Sequence, residues 1–263
     1  ESLAQMDKAE EVFRKLIKLY PEVRQLRHVV AQFYLSHGRV DAAEAEYRAV
    51  VAENPKDAAA KLDLVRFVGS VKGAAAARQA LDAMIAQDPA NIELKFALAA
   101  MQQAQGDRKG AEAAFRAIAE KAGDSPEGLR AKGQLAAEAL ARGDRSAAEK
   151  MVSEILTKDQ RNEQALLLKA GMAIDEHQLD QAIADLRTIL RDTPNSARAL
   201  LMLGKAHELA GSPELAQENY LKAHQAAKGV PTVGMAYAEF LLKRGQAARA
   251  GDVAEEVLRG TPG

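Results

Sequence analysis

ALLMLGKAHELAGSPELAQENYLKA, residues 199–223, is the stretch whose reading decides the fold of this chain. Two apolar runs flank Gly211-Ser212-Pro213, and Gly204 sits inside the first run, where glycine costs a helix about 1 kcal/mol relative to alanine. A residue that weakens its own helix needs a compensating contact, and recurrence would show that the contact is part of a plan. It does recur. Counterparts of Gly211 stand at Gly38, Lys72, Gly106, Gly143, His177 and Gly245, every interval being 34 residues except the 37 between Gly106 and Gly143.

Seven residues before these turn positions come Ala31, Val65, Ala99, Ala136, Ala170, Gly204 and Ala238. Five residues after them every segment has alanine: Ala43, Ala77, Ala111, Ala148, Ala182, Ala216 and Ala250. Nine after them stand Tyr47, Leu81, Phe115, Val152, Leu186, Tyr220 and Ala254, a bulky slot with one exception. Residues four apart share a helical face, so each small residue has a bulky one a turn away on the same side. Small slots on two successive helices let antiparallel axes approach, and the neighbouring ring or leucine fills the adjoining hole. Gly204 is therefore a contact glycine. Glycine at the turn takes positive φ and ends the first helix. Pro21, Pro55, Pro89, Pro194 and Pro262, seventeen past the turn register, stop the second.

A helix-turn-helix unit of this period, with these small and bulky slots and a closing proline, resembles the tetratricopeptide repeat. Leu203-Gly204, Ala216, Tyr220 and Pro194 carry the likeness in one unit, and Ala31, Tyr34, Gly38, Ala43, Tyr47 and Pro55 carry it in another. The pattern departs from the family where tryptophan is missing near the start of each unit, where Lys72 and His177 replace the turn glycine, and at Ala254. The resemblance implies an all-α fold, a right-handed α-solenoid of antiparallel helix pairs. Its units are 24–57, 58–91, 92–125, 126–162 with a three-residue insertion, 163–196, 197–230 and 231–263, preceded by the second half of a unit in 1–23. With no initiator Met and with Val253, Val257 and Leu258 uncovered by any later unit, the expectation is a piece of a longer array. The insertion at Gly123–Gly128 admits two readings: a helix that starts one turn early, or a joint between flanking repeats.

Composition narrows the function. Lys+Arg at 36 against Asp+Glu at 37 leaves a charge of −1, which gives no general attraction for nucleic acid or anionic membrane. No apolar run reaches the roughly 18 residues of a bilayer span, so direct membrane insertion is not expected. Absence of Cys removes disulfides, thiolate metal sites and a cysteine nucleophile. No phosphate-binding glycine loop, nucleophile elbow or H-E-x-x-H pair occurs, so no catalytic, cofactor or metal residue is assigned and the chain is not read as an enzyme. Asp175, Glu176, His177 and Asp180 are the nearest thing to a metal cluster, but they sit at a turn where such groups are usually solvated. His207 is expected to pack in the core.

In the tetratricopeptide family the first helices line a concave groove, which the resemblance makes the default binding site. Ten residues before each turn stand His28, Leu62, Phe96, Gly133, Leu167, Leu201 and Met235. One helical turn further on come Gln32, Arg66, Ala100, Ala137, Gly171, Lys205 and Glu239. The family's best-known ligand mode grips a terminal carboxylate with Lys, Asn and Arg in these slots, and Leu62, Leu201 and Met235 do not fit it. Two readings of the stripe stay open: a surface for an amphipathic or apolar protein segment, or leucines that bury one another. The functional expectation is a protein-interaction scaffold without a cofactor. Its alternatives are the regulatory repeat region of a larger enzyme, or an RNA-binding helical array, which the Leu and Ala lining disfavours. Ala-rich units with linkers such as Asn54-Pro55-Lys56-Asp57 are similar to bacterial members of the family. That likeness implies envelope assembly such as exopolysaccharide secretion, in a periplasmic or membrane-associated setting rather than the cytoplasm.

Overall fold

A computed structural model describes residues 2–20, 23–227 and 229–260, so Pro21 and Pro262 lie outside the described residues. Fifteen helices and no strand occur among the described residues. α1 (Ser2–Leu19) precedes the first full pair and packs against α2 through Phe13 and Phe33. The first helices of the successive pairs are α2 (Arg24–Ser36), α4 (Ala58–Lys72), α6 (Ile92–Ala104), α8 (Pro126–Ala141), α10 (Glu163–Asp175), α12 (Ala197–Leu209) and α14 (Pro231–Lys243). Their partners are α3 (Val40–Glu53), α5 (Ala74–Gln87), α7 (Arg108–Ala122), α9 (Arg145–Lys158), α11 (Leu179–Asp192), α13 (Pro213–Ala226) and α15 (Ala247–Gly260). The chain forms two compact units, Glu1–Ile118 and Ala119–Gly263.

Local chemistry sets the helix limits. Left-handed backbone ends the first helix at Gly38, Gly106, Gly143, Gly211 and Gly245, and at His177, whose φ of 60° makes it the one described non-glycine residue in that region. Between α4 and α5 the left-handed residue is Gly73, one place beyond Lys72; α4 runs on to Lys72, and this single glycine links the two helices. Most first helices begin at a side-chain cap. Asp57, Asn91, Asn162 and Ser196 each accept a hydrogen bond from a backbone N–H three residues on.

The insertion lengthens α8, which has 16 residues where α6 and α10 have 13, and begins at Pro126 behind a Ser125 cap. A Cβ on Gly128 would lie 2.1 Å from the Gly123 carbonyl oxygen, so only glycine fits this corner.

The small-residue slots close the pairs. Ala43, Ala111, Ala148, Ala182 and Ala216 are fully buried, as are Ala31, Ala99, Ala136 and Ala170. A Cβ on Gly204 would meet three carbons of the Tyr220 ring at 3.1–3.2 Å. The missing methyl thus lets the ring lie flat on α12, and Tyr220 donates its hydroxyl hydrogen to Glu208 at 2.8 Å. Burial, followed by this carboxylate, raises the phenol's pKa, so it remains a donor. His207 is buried beside them, and burial together with the charge of Arg187 pushes its pKa down.

Candidate partner-binding face

The first-helix slots divide between the two units. In the unit that ends at Ile118 the first-helix face is mixed. His28 is half-buried with its ring stacked on Tyr47 at 5.2 Å, and Leu62 is half-buried. Phe96 is buried, 6.0 Å from the Phe115 ring. Gln32 is exposed, and Arg66 is exposed but paired with Asp63 on its own helix.

In the unit that begins at Ala119 the face is more apolar. Gly133 leaves room for the Gln164 side chain, whose Cδ would lie 2.6 Å from an added Cβ. Leu167 is buried, Leu201 is half-buried and Met235 is 66% exposed. Lys205 pairs with Glu208 at 3.7 Å, and Glu239 pairs with Lys243 at 2.9 Å. Burial opposes ionisation of Glu208, but hydrogen bonds from Tyr220 and Lys243 hold its pKa below the usual carboxylate range.

A depression of about 380 Å³ opens on this face between α8, α10 and α12. Leu140, Leu167, Leu168 and Met202 line it, with Gly171 at its floor and Arg198 and Asp175 at its margins. An added methyl on Gly171 would meet only the Met202 terminal carbon, at 3.5 Å, so its smallness opens space rather than relieving a clash. Leu168, Met202 and Arg198 lie in registers beside the two that the sequence singles out, and Asp175, singled out there only as a candidate metal group, stands at this margin instead. A second cavity of about 590 Å³ lies on the second-helix side between α9 and α10, lined by Val152, Leu156 and Met172, and its Lys169 is tied to the buried Asp185 at 3.0 Å.

Among the described residues no three His, Cys, Asp or Glu side chains gather as a metal site, and no helix is long and apolar enough to cross a membrane. The wall of the second cavity also carries Glu149, Ser153, Thr157 and Gln160. What the first-helix face of the second unit offers is a partly exposed apolar surface with charged groups at its edges.

The family profile described as the tetratricopeptide repeat protein 21 C-terminal ARM domain matches residues 76–263, and a tetratricopeptide repeat profile matches residues 3–67. The chain belongs to the tetratricopeptide repeat family. Its helix pairs are those of a repeat protein-interaction scaffold, a class that is generally non-catalytic. Among solved structures, yeast Tom70 is 14% identical with a TM-score of 0.68, over 98% of this chain and 55% of that one. A tetratricopeptide repeat protein from Parabacteroides merdae is 13% identical with a TM-score of 0.62, over 96% of this chain and 94% of that one. The Cut9–Hcn1 hetero-tetramer of the APC/C is 15% identical with a TM-score of 0.61, over 98% of this chain and 50% of that one. At such identities the likeness is one of fold. No curated protein matches the chain in sequence.

Proposed function

We propose that the first-helix face of residues 126–243 binds a segment of a partner protein and that this capture is the chain's activity. The observation that carries the reading is the depression between α8, α10 and α12, where half-buried Leu140, Leu168 and Met202 border open space. Half-buried aliphatic groups around a cavity gain roughly 25 cal/mol for each Å² that a partner covers. Leu201 and Met235 extend the apolar surface toward α14, with Gln32, Leu62 and Arg66 as polar and apolar counterparts on the other unit. Phe96 and Leu167 support the face from beneath, since both are already buried.

Selection of displayed random dodecapeptides on the whole chain tests this. Clones are expected to lose binding to Met202→Glu and Leu168→Glu while keeping it to Gln225→Glu, an exposed site on α13. Clones indifferent to the first two variants would refute the reading. The setting we propose is a bacterial envelope assembly such as exopolysaccharide secretion, supported by the likeness of the Ala-rich units and linkers. Finding the native protein only in the cytosolic fraction of its cells would count against that setting.

A further inference from the structure

Charge decides which segment fits, and this inference rests on the groove reading above. Most charged side chains on the first-helix face of the second unit are already engaged within the chain. Lys205 pairs with Glu208, Glu239 with Lys243, and Lys132 with Asp124. Arg145, at the rim of the depression, holds Glu149, Glu176 and the Met172 carbonyl oxygen. Arg130, Glu138 and Arg142 also have interactions of their own. Arg198 and Asp175 differ: both are exposed, both border the depression, and neither has a hydrogen bond or ion pair among the described residues.

The two groups are opposite in charge and stand at opposite ends. Arg198 is in the first turn of α12, in the register held by Gln164 on α10, whereas Asp175 is the last residue of α10. From Gln164 to Asp175 a helix rises about 16 Å at 1.5 Å per residue. An extended chain covers that distance in about five residues. Between the ends the lining includes Leu140, Leu167, Leu168, Met172, Met202 and the open floor at Gly171, with the engaged Arg145 at the rim.

We propose that this depression selects a bipolar segment of a partner protein: an acidic residue for Arg198, about three aliphatic residues for the floor, and a basic residue for Asp175. The unpaired charges set which end of the segment lies where, and the leucines supply most of the attraction.

The test uses three fluorescently labelled, end-blocked pentapeptides, Asp-Leu-Ile-Leu-Lys, Asp-Leu-Ile-Leu-Asp and Lys-Leu-Ile-Leu-Lys, titrated against the whole chain by anisotropy. The parent is expected to bind the first most tightly, with each mismatched end weakening binding about fivefold, as for an exposed ion pair. Asp175→Lys is expected to switch preference to the peptide with two acids, and Arg198→Glu to the one with two lysines. Both side chains are exposed, so the helical circular dichroism should be unchanged and a lost signal cannot be ascribed to unfolding. Equal binding of all three peptides, or preferences that the substitutions do not move, would overturn the bipolar inference while the groove reading survives through the Met202→Glu result. No binding of any peptide would also overturn it, and the displayed clones would then decide the groove reading separately.

Discussion

In one slot of the first helix, the first unit ties its first two helix pairs with charge, whereas the later repeats of the second unit fill the same slot with apolar or small residues. Eleven residues before the turn, the early repeats carry Arg27 and Lys61 and the later ones Leu166, Leu200 and Gly234. Arg27 donates to Glu46 at 2.9 Å and is also paired with Glu53, while the buried Lys61 reaches Asp88, just past the end of α5, at 2.8 Å. Leu166 and Leu200 are instead buried in apolar clusters, and Gly234 lies against Val257. One backbone geometry therefore accepts two chemistries in the same slot. A buried pair loses much of its attraction to desolvation and chiefly fixes geometry. A buried leucine contributes about 2 kcal/mol without directional demands.

Exchanging residues between the two regions is the strongest way to break this contrast. Leu200→Lys should cost about 4 kcal/mol, because Asn219 and Ala227 stand where Glu46 or Asp88 would receive the cation. Thermal unfolding followed by circular dichroism reads this as a marked fall in midpoint. The reverse exchange, Lys61→Leu, should stay within about 1 kcal/mol of the parent, since replacing a buried charge by a packed apolar group is often nearly neutral. Equal penalties for the two would end the distinction.

Gly234→Ala sharpens it, because the new methyl would stand 2.3 Å from Val257 Cγ2. Overpacking should cost about 2 kcal/mol, seen as faster hydrogen exchange in α14 and α15. His177→Gly should raise stability by about 1 kcal/mol, since glycine takes the φ of 60° that histidine occupies under strain. Denaturant midpoints with an unchanged slope would confirm it.

Acid supplies the smallest effect. Hydrogen bonds from Arg39, then Arg14, then Tyr34 lower the pKa of Glu10 on α1 from 4.5 to about 2. The ionised form is thus favoured by folding, and its contribution is present above 4.5 and lost as pH falls toward about 2. Amide protection factors in α1 and the start of α2 should drop across that window, while those around Leu166 change less. A uniform drop would erase the contrast.

Much of the fold was legible because close helix contacts admit few residue types. The alanines from Ala43 to Ala250 and the small residue at Gly204 mark the places where a larger side chain would push the axes apart. The cap row Asp57, Asn91, Asn162 and Ser196 recurs in the same register, but such residues favour turns as well as helix starts, so the apolar slots carry the clearer signal. Gly73 fell one residue off a rigid register, so Lys72 stood in for it. Depth was less legible. Phe96 and Met235 share one position in their repeats, yet Phe96 is 6% exposed and Met235 is 66% exposed. Periodicity assigns a side chain to a face; the neighbouring repeat decides how far it is covered. Ion pairs such as Lys61 with Asp88 were hidden for a related reason, because they join residues 27 apart whose meeting depends on the finished pair.

Methyl NMR of the whole chain, titrated with a display-selected peptide, tests the central claim most directly. Shifts confined to Leu140, Leu167, Leu168 and Met202 are expected if the first-helix face of the second unit is where a partner segment is held. Shifts at Val152 and Leu156, which line the cavity on the opposite side, with the four reporters unmoved, would contradict it.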